Sequence, residues 1–360
     1  MASTGFDFMN QFAVSNQGIM DLRELLFLEV LQSGSINEII DVVTGVIPGS
    51  RVGGVGEMSP VGLPSTGCNV QWKASKIATA EKIWELGGYE VAEKLCYADL
   101  ESTMVQFAMR RGTDRADLTG TDYMDVIVEP LLRQALEKMI WRLTWFGDKM
   151  AADITGGGQI TDGVNTDLFK VCDGLFKRIL DLTASKPRQL VPIAANVAAT
   201  YDSQIAGIRA SGVMLDLMDS IIYDANPKLL QKSDRVLLMT QSMADALAMD
   251  VKRNNKGSEL QWQSLFSGFV SATEYNGQKI ISLPIWDEMI RSFEDNGTSW
   301  NKPHRAVYAP KSSLKLGVNS DDMIAYLKVW FSDDDQESKM LVKDKVGTMT
   351  WDDDLIMAAY

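Results

Sequence analysis

Residues 122–150 read DYMDVIVEPLLRQALEKMIWRLTWFGDKM. Met124, Val128, Leu131, Ala135, Met139, Leu143, Phe146 and Met150 recur at steps of three and four, which is one face of an α-helix; Ile127, Leu132, Leu136 and Ile140 widen it to a broad stripe. Asp125, Glu129, Arg133, Glu137 and Arg142 fall between them, with Glu129 and Arg133 at the favourable i,i+4 spacing. Thr121 or Asp122 can cap the start, and Gly147 offers a left-handed stop. The ring of Pro130 clashes with the carbonyl four residues back. The regular helix therefore either starts near Glu129, with Pro130 at its first position, or is kinked there. Between Pro130 and Phe146 it spans roughly 25 Å, the width of a small domain. The expectation is a spine against which a sheet packs.

Upstream, two short apolar helices are expected over 21–31 and 36–43, separated by Ser33-Gly34-Ser35; neither is long enough to enclose a core. Residues 48–67 carry six glycines and three prolines and predict an irregular or extended connector. Residues 68–100 read as extended strands from the alternation of Val70, Trp72 and Ala74, with Gly87-Gly88 as an internal turn.

Downstream, Gly156-Gly157-Gly158 is a flexible break, and helices are expected over 168–182 and 203–223. Arg235–Thr240 is an apolar strand followed at once by a helix over 241–253 capped by Ser242, and the alternation that continues from there indicates an α/β unit. Asn276-Gly277 within 273–283 signals a hairpin. Residues 305–318 predict a strand pair broken at Pro310. Ile324, Tyr326, Lys328 and Trp330 run up to a turn at Asp333-Asp334-Asp335, from which 339–346 returns as a meander.

At 360 residues the chain is long enough for about two domains, and 46% apolar with 23% charged residues is ordinary for a folded protein. A net charge of −13 argues against a general nucleic-acid-gripping surface, since phosphates are neutralised by Lys and Arg. The N-terminus lacks a basic start and an apolar run, so no secretory signal is expected, and no window approaches a membrane span. Cys68, Cys96 and Cys172 lie far apart, which fits a reducing compartment and rules against a zinc spacing. His304, the single histidine, reads as a surface turn residue and excludes multi-histidine metal sites. Gly156–158 lacks a following Gly-Lys-Ser/Thr, and Gly53, Gly54 and Gly56 lack the third glycine of a dinucleotide fingerprint. The acidic clusters at 333–337 and 352–354 read as solvated tips, and the 19 methionines as core filling. No catalytic residue, metal or cofactor is expected.

In order the pieces are a helical arm, a Gly/Pro connector, a long extended excursion, a spine, an α/β middle and a β-rich end. EKLCYADLEST (93–103), EPLLRQALEKMIWRLTWFGD (129–148), DRVLLMTQSMADAL (234–247), YNGQKIISLPIWDEM (275–289), HRAVYAPKSSLKLGV (304–318) and the closing 326–360 carry the layout. It resembles the major capsid proteins of tailed bacteriophages, the Hong Kong 97-type α+β fold that encapsulin shells share. The resemblance implies an N-terminal arm (1–50), an extended β loop (51–95), a peripheral domain (96–165 with 315–360) and an α/β axial domain (166–314). It implies self-assembly into hexamers and pentamers of an icosahedral head enclosing double-stranded DNA without specific binding. A portal protein, and separate scaffolding and decoration proteins where used, would be the partners, with assembly in the host cytoplasm and residence in the virion.

Physical reasoning supports a chain built for neighbours. A two-stranded ribbon in 51–95 cannot shelter its own apolar residues, and such residues are covered by something. Trp72, Lys73, Lys76, Ile77, Ile83, Trp84, Leu86 and Tyr89 are the candidate inter-subunit contacts, and Lys73, Lys76 and Lys82 the cations available to a neighbour's acidic patches. Two rivals remain: an encapsulin-like compartment of the same fold, and an uncharacterised α/β enzyme, disfavoured by the absent motifs.

Overall fold

The computed structural model describes residues 35–58, 77–96, 129–151, 160–254, 263–265, 270–275, 277–319, 326–332 and 337–360. The expected helix at 21–31, the alternation at 70–74, the glycine break at 156–158 and the tip at 333–335 lie outside them. Helix α1 (Ser35–Ile39) buries Ile36 and Ile39, then gives way to strand β1 (Asp41–Val43). The helix expected to run on to Val43 stops because Asp41, Val42 and Val43 pair in parallel with residues 315–317. Sheet pairing overrides local helix pattern there.

Strands β2 (Arg51–Met58) and β3 (Ile77–Ile83) form a separate antiparallel ribbon, so the Gly/Pro connector begins as a strand. Strand β4 (Gly87–Cys96) follows after three residues. The turn expected at Gly87-Gly88 is displaced to 84–86, since Gly87 already pairs with Val346.

The spine is α2 (Glu129–Phe146), starting at the expected residue. Its buried face is corrected: Leu136, Ile140, Trp141, Leu143, Trp145 and Phe146 are buried, whereas Ala135 is exposed and Met150 is 80% exposed. The second half is enclosed on all sides: Leu143 and Phe146 of the expected face, Leu136 and Ile140 that widen it, and Trp141 and Trp145 outside it all enter the core. Gly147 does not stop the helix with a left-handed turn, being absent from the positive-φ glycines. A Cβ there would lie 2.4 Å from the Cys172 carbonyl, and its own carbonyl accepts from Gly174 N at 2.8 Å. It is a site of backbone crossing.

Helix α3 (Leu175–Ser185) begins later than expected, after an isolated turn at Thr166–Leu168. Strand β5 (Leu190–Val191) leads to α4 (Tyr201–Ile208) and α5 (Val213–Tyr223). The single helix expected over 203–223 is thus two, separated at Gly212, whose φ of 84° no helix accommodates. Asp250 caps α5 from outside, accepting from Gly212 N and Met214 N at 3.1 and 3.0 Å. After the short α6 (Pro227–Leu230) come β6 (Arg235–Thr240) and α7 (Gln241–Asn254), as predicted. The cap of α7 is corrected, because Asp287 takes the N–H groups of Gln241 (2.6 Å) and Ser242 (3.2 Å).

Strands β7 (Gln263–Leu265), β8 (Val270–Tyr275) and β9 (Gln278–Leu283) then meander. Tyr275 pairs with Gln278 across the expected two-residue turn. Helix α8 (Pro284–Phe293) and strands β10 (Ala306–Pro310), β11 (Leu314–Val318), β12 (Tyr326–Ser332), β13 (Glu337–Thr350) and β14 (Met357–Ala359) complete the order. The predicted return of 339–346 on 326–330 is the β12–β13 pairing. β10 and β11 are not partners. One lies in a seven-stranded sheet ordered β5-β14-β10-β6-β9-β8-β7, the other in a five-stranded sheet ordered β1-β11-β13-β12 with β4 also on β13.

The seven-stranded sheet is covered on both faces. Leu237, Met239, Ile280 and Tyr308 face the core shared with α5 and α7, where Met214, Met218 and Met243 are wholly buried, the core-filling role expected of them. Leu238, Ile281 and Val307 lie in a second core, which α2 shares with Val342, Val346, Leu314 and Leu316 of the five-stranded sheet. At the centre Trp145, Phe176 and Trp286 pack with ring centroids 4.5–5.2 Å apart. One core thus joins the spine to both sheets.

Candidate inter-subunit surface

Alternation along the ribbon sorts its side chains. Arg51, Gly53, Glu81 and Ile83 form the outward face, Val52, Gly54 and Lys82 the inward one. Outward, Ile83 is 54% exposed and Ile47 in the preceding turn 69%, with Arg51 and Glu81 paired at 3.1 Å between them. Inward, the ribbon rests on its own chain. A Cβ on Gly54 would lie 2.3 Å from the Trp351 ring, and Lys82 Nζ donates to the Thr350 carbonyl (2.5 Å) and Asp353 Oδ1 (2.7 Å).

Of the predicted contact residues, Ile83 is therefore open to a neighbour and Leu86 half-covered. Trp84 and Tyr89 correct the expectation of a ribbon unable to shelter itself. Trp84 is 3% exposed, packed with Val46 and Met349 and against Val43, Val52, Leu86 and Trp351. Tyr89 joins the main core, where burial first and Asp344 second push its hydroxyl pKa up. Lys82 is engaged within the chain rather than waiting for a neighbour. Trp72, Lys73 and Lys76 lie outside the described residues, as does the side chain of Ile77. Sequence reasoning missed Ile47, Arg51 and Glu81. The signal available was the period-two pattern of 51–54 opposite 80–83, hidden by glycines that read as connector.

The remaining chemistry is structural. His304 is 1% exposed, which corrects the expected surface turn. Its Nε2 donates to the Gln204 carbonyl (3.1 Å) and Nδ1 accepts from Ser242 Oγ (2.9 Å), and burial lowers its pKa to about 4. The amide of Asn196 grips the His304 backbone at both N and O (2.9 and 2.7 Å), and that of Gln204 grips Trp300 in the same way (3.0 and 2.8 Å). Ser242 stands near a helix start, but Asp287 already holds the N–H groups that would stabilise an oxyanion, so the pair pins a loop. Arg305 pairs with the largely buried Glu294 and lies 4.8 Å over the Phe176 ring. Burial pushes the Cys172 thiol up to about 12, leaving it unreactive. Among the described residues no cluster of His, Cys, Asp and Glu could hold a metal, and no helix is long and apolar enough to cross a membrane.

No protein-family model and no curated protein matches the chain. Solved structures do. A chain from the structure of the satellite phage P4 procapsid including size determination (Sid) protein aligns with a TM-score of 0.50 at 10% identity, over 96% of this chain and 98% of that one. A chain from Gordonia phage Cozz aligns with a TM-score of 0.51 at 12% identity, over 90% and 85% respectively. At such identities the likeness carries the fold alone. The chain has the α+β, Hong Kong 97-type fold of tailed-phage major capsid proteins.

Proposed function

We propose that this chain is the major capsid protein of a tailed phage, a structural protein without catalytic activity. It assembles with copies of itself into hexamers and pentamers and so into an icosahedral head enclosing double-stranded DNA. The observation that carries the reading is the near end-to-end alignment with the procapsid chain, 96% of this chain on 98% of that one. A negative net charge of 13 suits a wall that repels packed DNA weakly. In this reading 1–50 is the arm, 51–95 the extended loop, 96–165 with 315–360 the peripheral domain and 166–314 the axial domain. The outward ribbon face at Ile47 and Ile83 meets a neighbour, together with the contacts expected at 72–77. Portal, scaffolding and decoration partners belong to the same proposal, as does assembly in the host cytoplasm.

Size-exclusion chromatography and negative-stain microscopy of the purified chain test it. Pentamers, hexamers or closed particles of megadalton mass are expected, and a compact monomer or small oligomer at all concentrations overturns the reading. A variant in which a two-residue turn replaces 59–76 keeps the β2–β3 pairing and should leave a soluble body that no longer closes shells. Shells of normal size from it would remove the contacts expected at 72–77 from the assembly mechanism.

A further inference from the structure

The ribbon leaves the body through a joint built from glycines and ion pairs. Gly317 on β11 and Gly347 on β13 are direct register partners, so their missing side chains open one notch in the five-stranded sheet. Into it go residues 84–86. A Cβ on Gly317 would lie 2.6 Å from the Trp84 ring, and one on Gly347 2.3 Å from the Glu85 carbonyl. The exit is fastened on both sides of that notch. Trp84 exchanges backbone hydrogen bonds with Gly49 and Ser50 at 2.9 Å. Lys82 reaches Thr350 and Asp353, while Glu85 faces Lys149 at 3.1 Å and Arg178 at 3.8 Å. Lys149 follows the end of the spine and Arg178 lies on α3. The fastenings therefore tie the ribbon to both the sheet and the helical layer.

We propose that residues 82–86 and the Gly317–Gly347 notch are a cis joint. It fixes the direction of the ribbon in the unassembled chain, before any neighbouring copy touches it. A glycine pair is costly within strands, because it loses side-chain packing and gains backbone entropy in the unfolded chain. Its presence where an indole needs the space is what a dedicated seat requires. This rests on the shell reading for its purpose and on intrachain contacts alone for its existence. The consequence is that neighbours receive a ribbon already aimed, so docking need not order it.

The test is amide hydrogen exchange on the full-length chain in its unassembled fraction, alongside particle sizing. Expected is protection of amides in 51–54 and 80–83 comparable to that in β13. Trp84→Ala should speed exchange there about tenfold or more while α2 and β7–β10 stay unchanged, and should broaden the distribution of particle sizes. Should Trp84→Ala disturb the body, the double variant Lys82→Met with Glu85→Gln decides, with the same local acceleration expected. Ribbon amides that exchange freely in the unassembled wild-type chain and become protected only in particles overturn the joint. So does a double variant with unaltered exchange. A wild-type chain that never forms particles overturns the shell reading instead, and the exchange result still decides the joint.

Discussion

The two sheets are fastened to the rest of the molecule in opposite ways. The seven-stranded sheet is packed on both faces, and its irregular 294–305 connection is held by largely buried polar groups: the Asn196 and Gln204 amides, the His304 ring and the Glu294–Arg305 pair. The five-stranded sheet gathers strands from 41–43, 87–96, 314–318, 326–332 and 337–350, and its ribbon is held by a notch and by ion pairs at 27–56% side-chain exposure. Buried polar groups are intolerant of losing a partner, whereas partly exposed pairs are not. One half is therefore locked by buried polar groups, and the ribbon of the other by a packed glycine notch with partly exposed pairs around it.

Breaking the lock should give the largest effect. Arg305→Ala leaves Glu294 buried without its cation and strips the guanidinium from the Phe176 face. A loss of about 3–5 kcal/mol is expected in urea unfolding. A loss below about 1 kcal/mol would erase the contrast between the halves. Leu237→Ala, at a position with no exposure on β6, should cost about 2–5 kcal/mol by the same assay.

A pH series sharpens the comparison. Burial holds His304 near a pKa of about 4, against 6.5 for the free side chain. Between those values the unfolded chain binds a proton that the folded chain refuses. Stability therefore falls as pH drops from 6.5 towards 4, and the contribution is fully present above 6.5. Asp287 and Glu294, whose carboxyl pKa values burial raises, slope the other way, so only the difference from His304→Gln isolates the histidine. That variant should flatten the decline by about 1–3 kcal/mol across the window. Parallel curves for the two proteins would show that His304 is not locked.

Next in size, Asp287→Ala removes the external cap of α7 and should cost about 1–2 kcal/mol, with Asp287→Asn costing less. Smallest is Arg51→Ala on the outward ribbon face, where a 68% exposed side chain pairs with Glu81. Less than about 0.5 kcal/mol is expected in stability, so any large change in particle yield from it reports a neighbour's contact.

What could be read beforehand follows the same division. Arg235–Thr240 with its helix, the Asn276-Gly277 hairpin and the meander of 326–346 are local. An apolar run, a turn dipeptide or an alternation specifies each without reference to distant residues. The spine was legible in existence and start but only in part in which side was buried, because enclosure all round, which also takes in Trp141 and Trp145, is not a periodicity. β1, the true start of β4 and the seat of Trp84 depend on partners up to 274 residues away. The same glycines that make the seat possible weaken the strand signal. Ser242 was singled out as a cap, yet an aspartate on another helix does that work and frees the hydroxyl for His304. The outward face at Ile47 and Ile83 was half seen, since glycine-rich strands hide their alternation.

The passage from β10 to β11 takes only Lys311, Ser312 and Ser313, with Pro310 closing the first strand. Three residues leave no slack. A torque applied to one sheet passes through that link, and through the core the two sheets share with the spine, to the other. The body therefore turns as a single lever, and its compliance resides at its attachments.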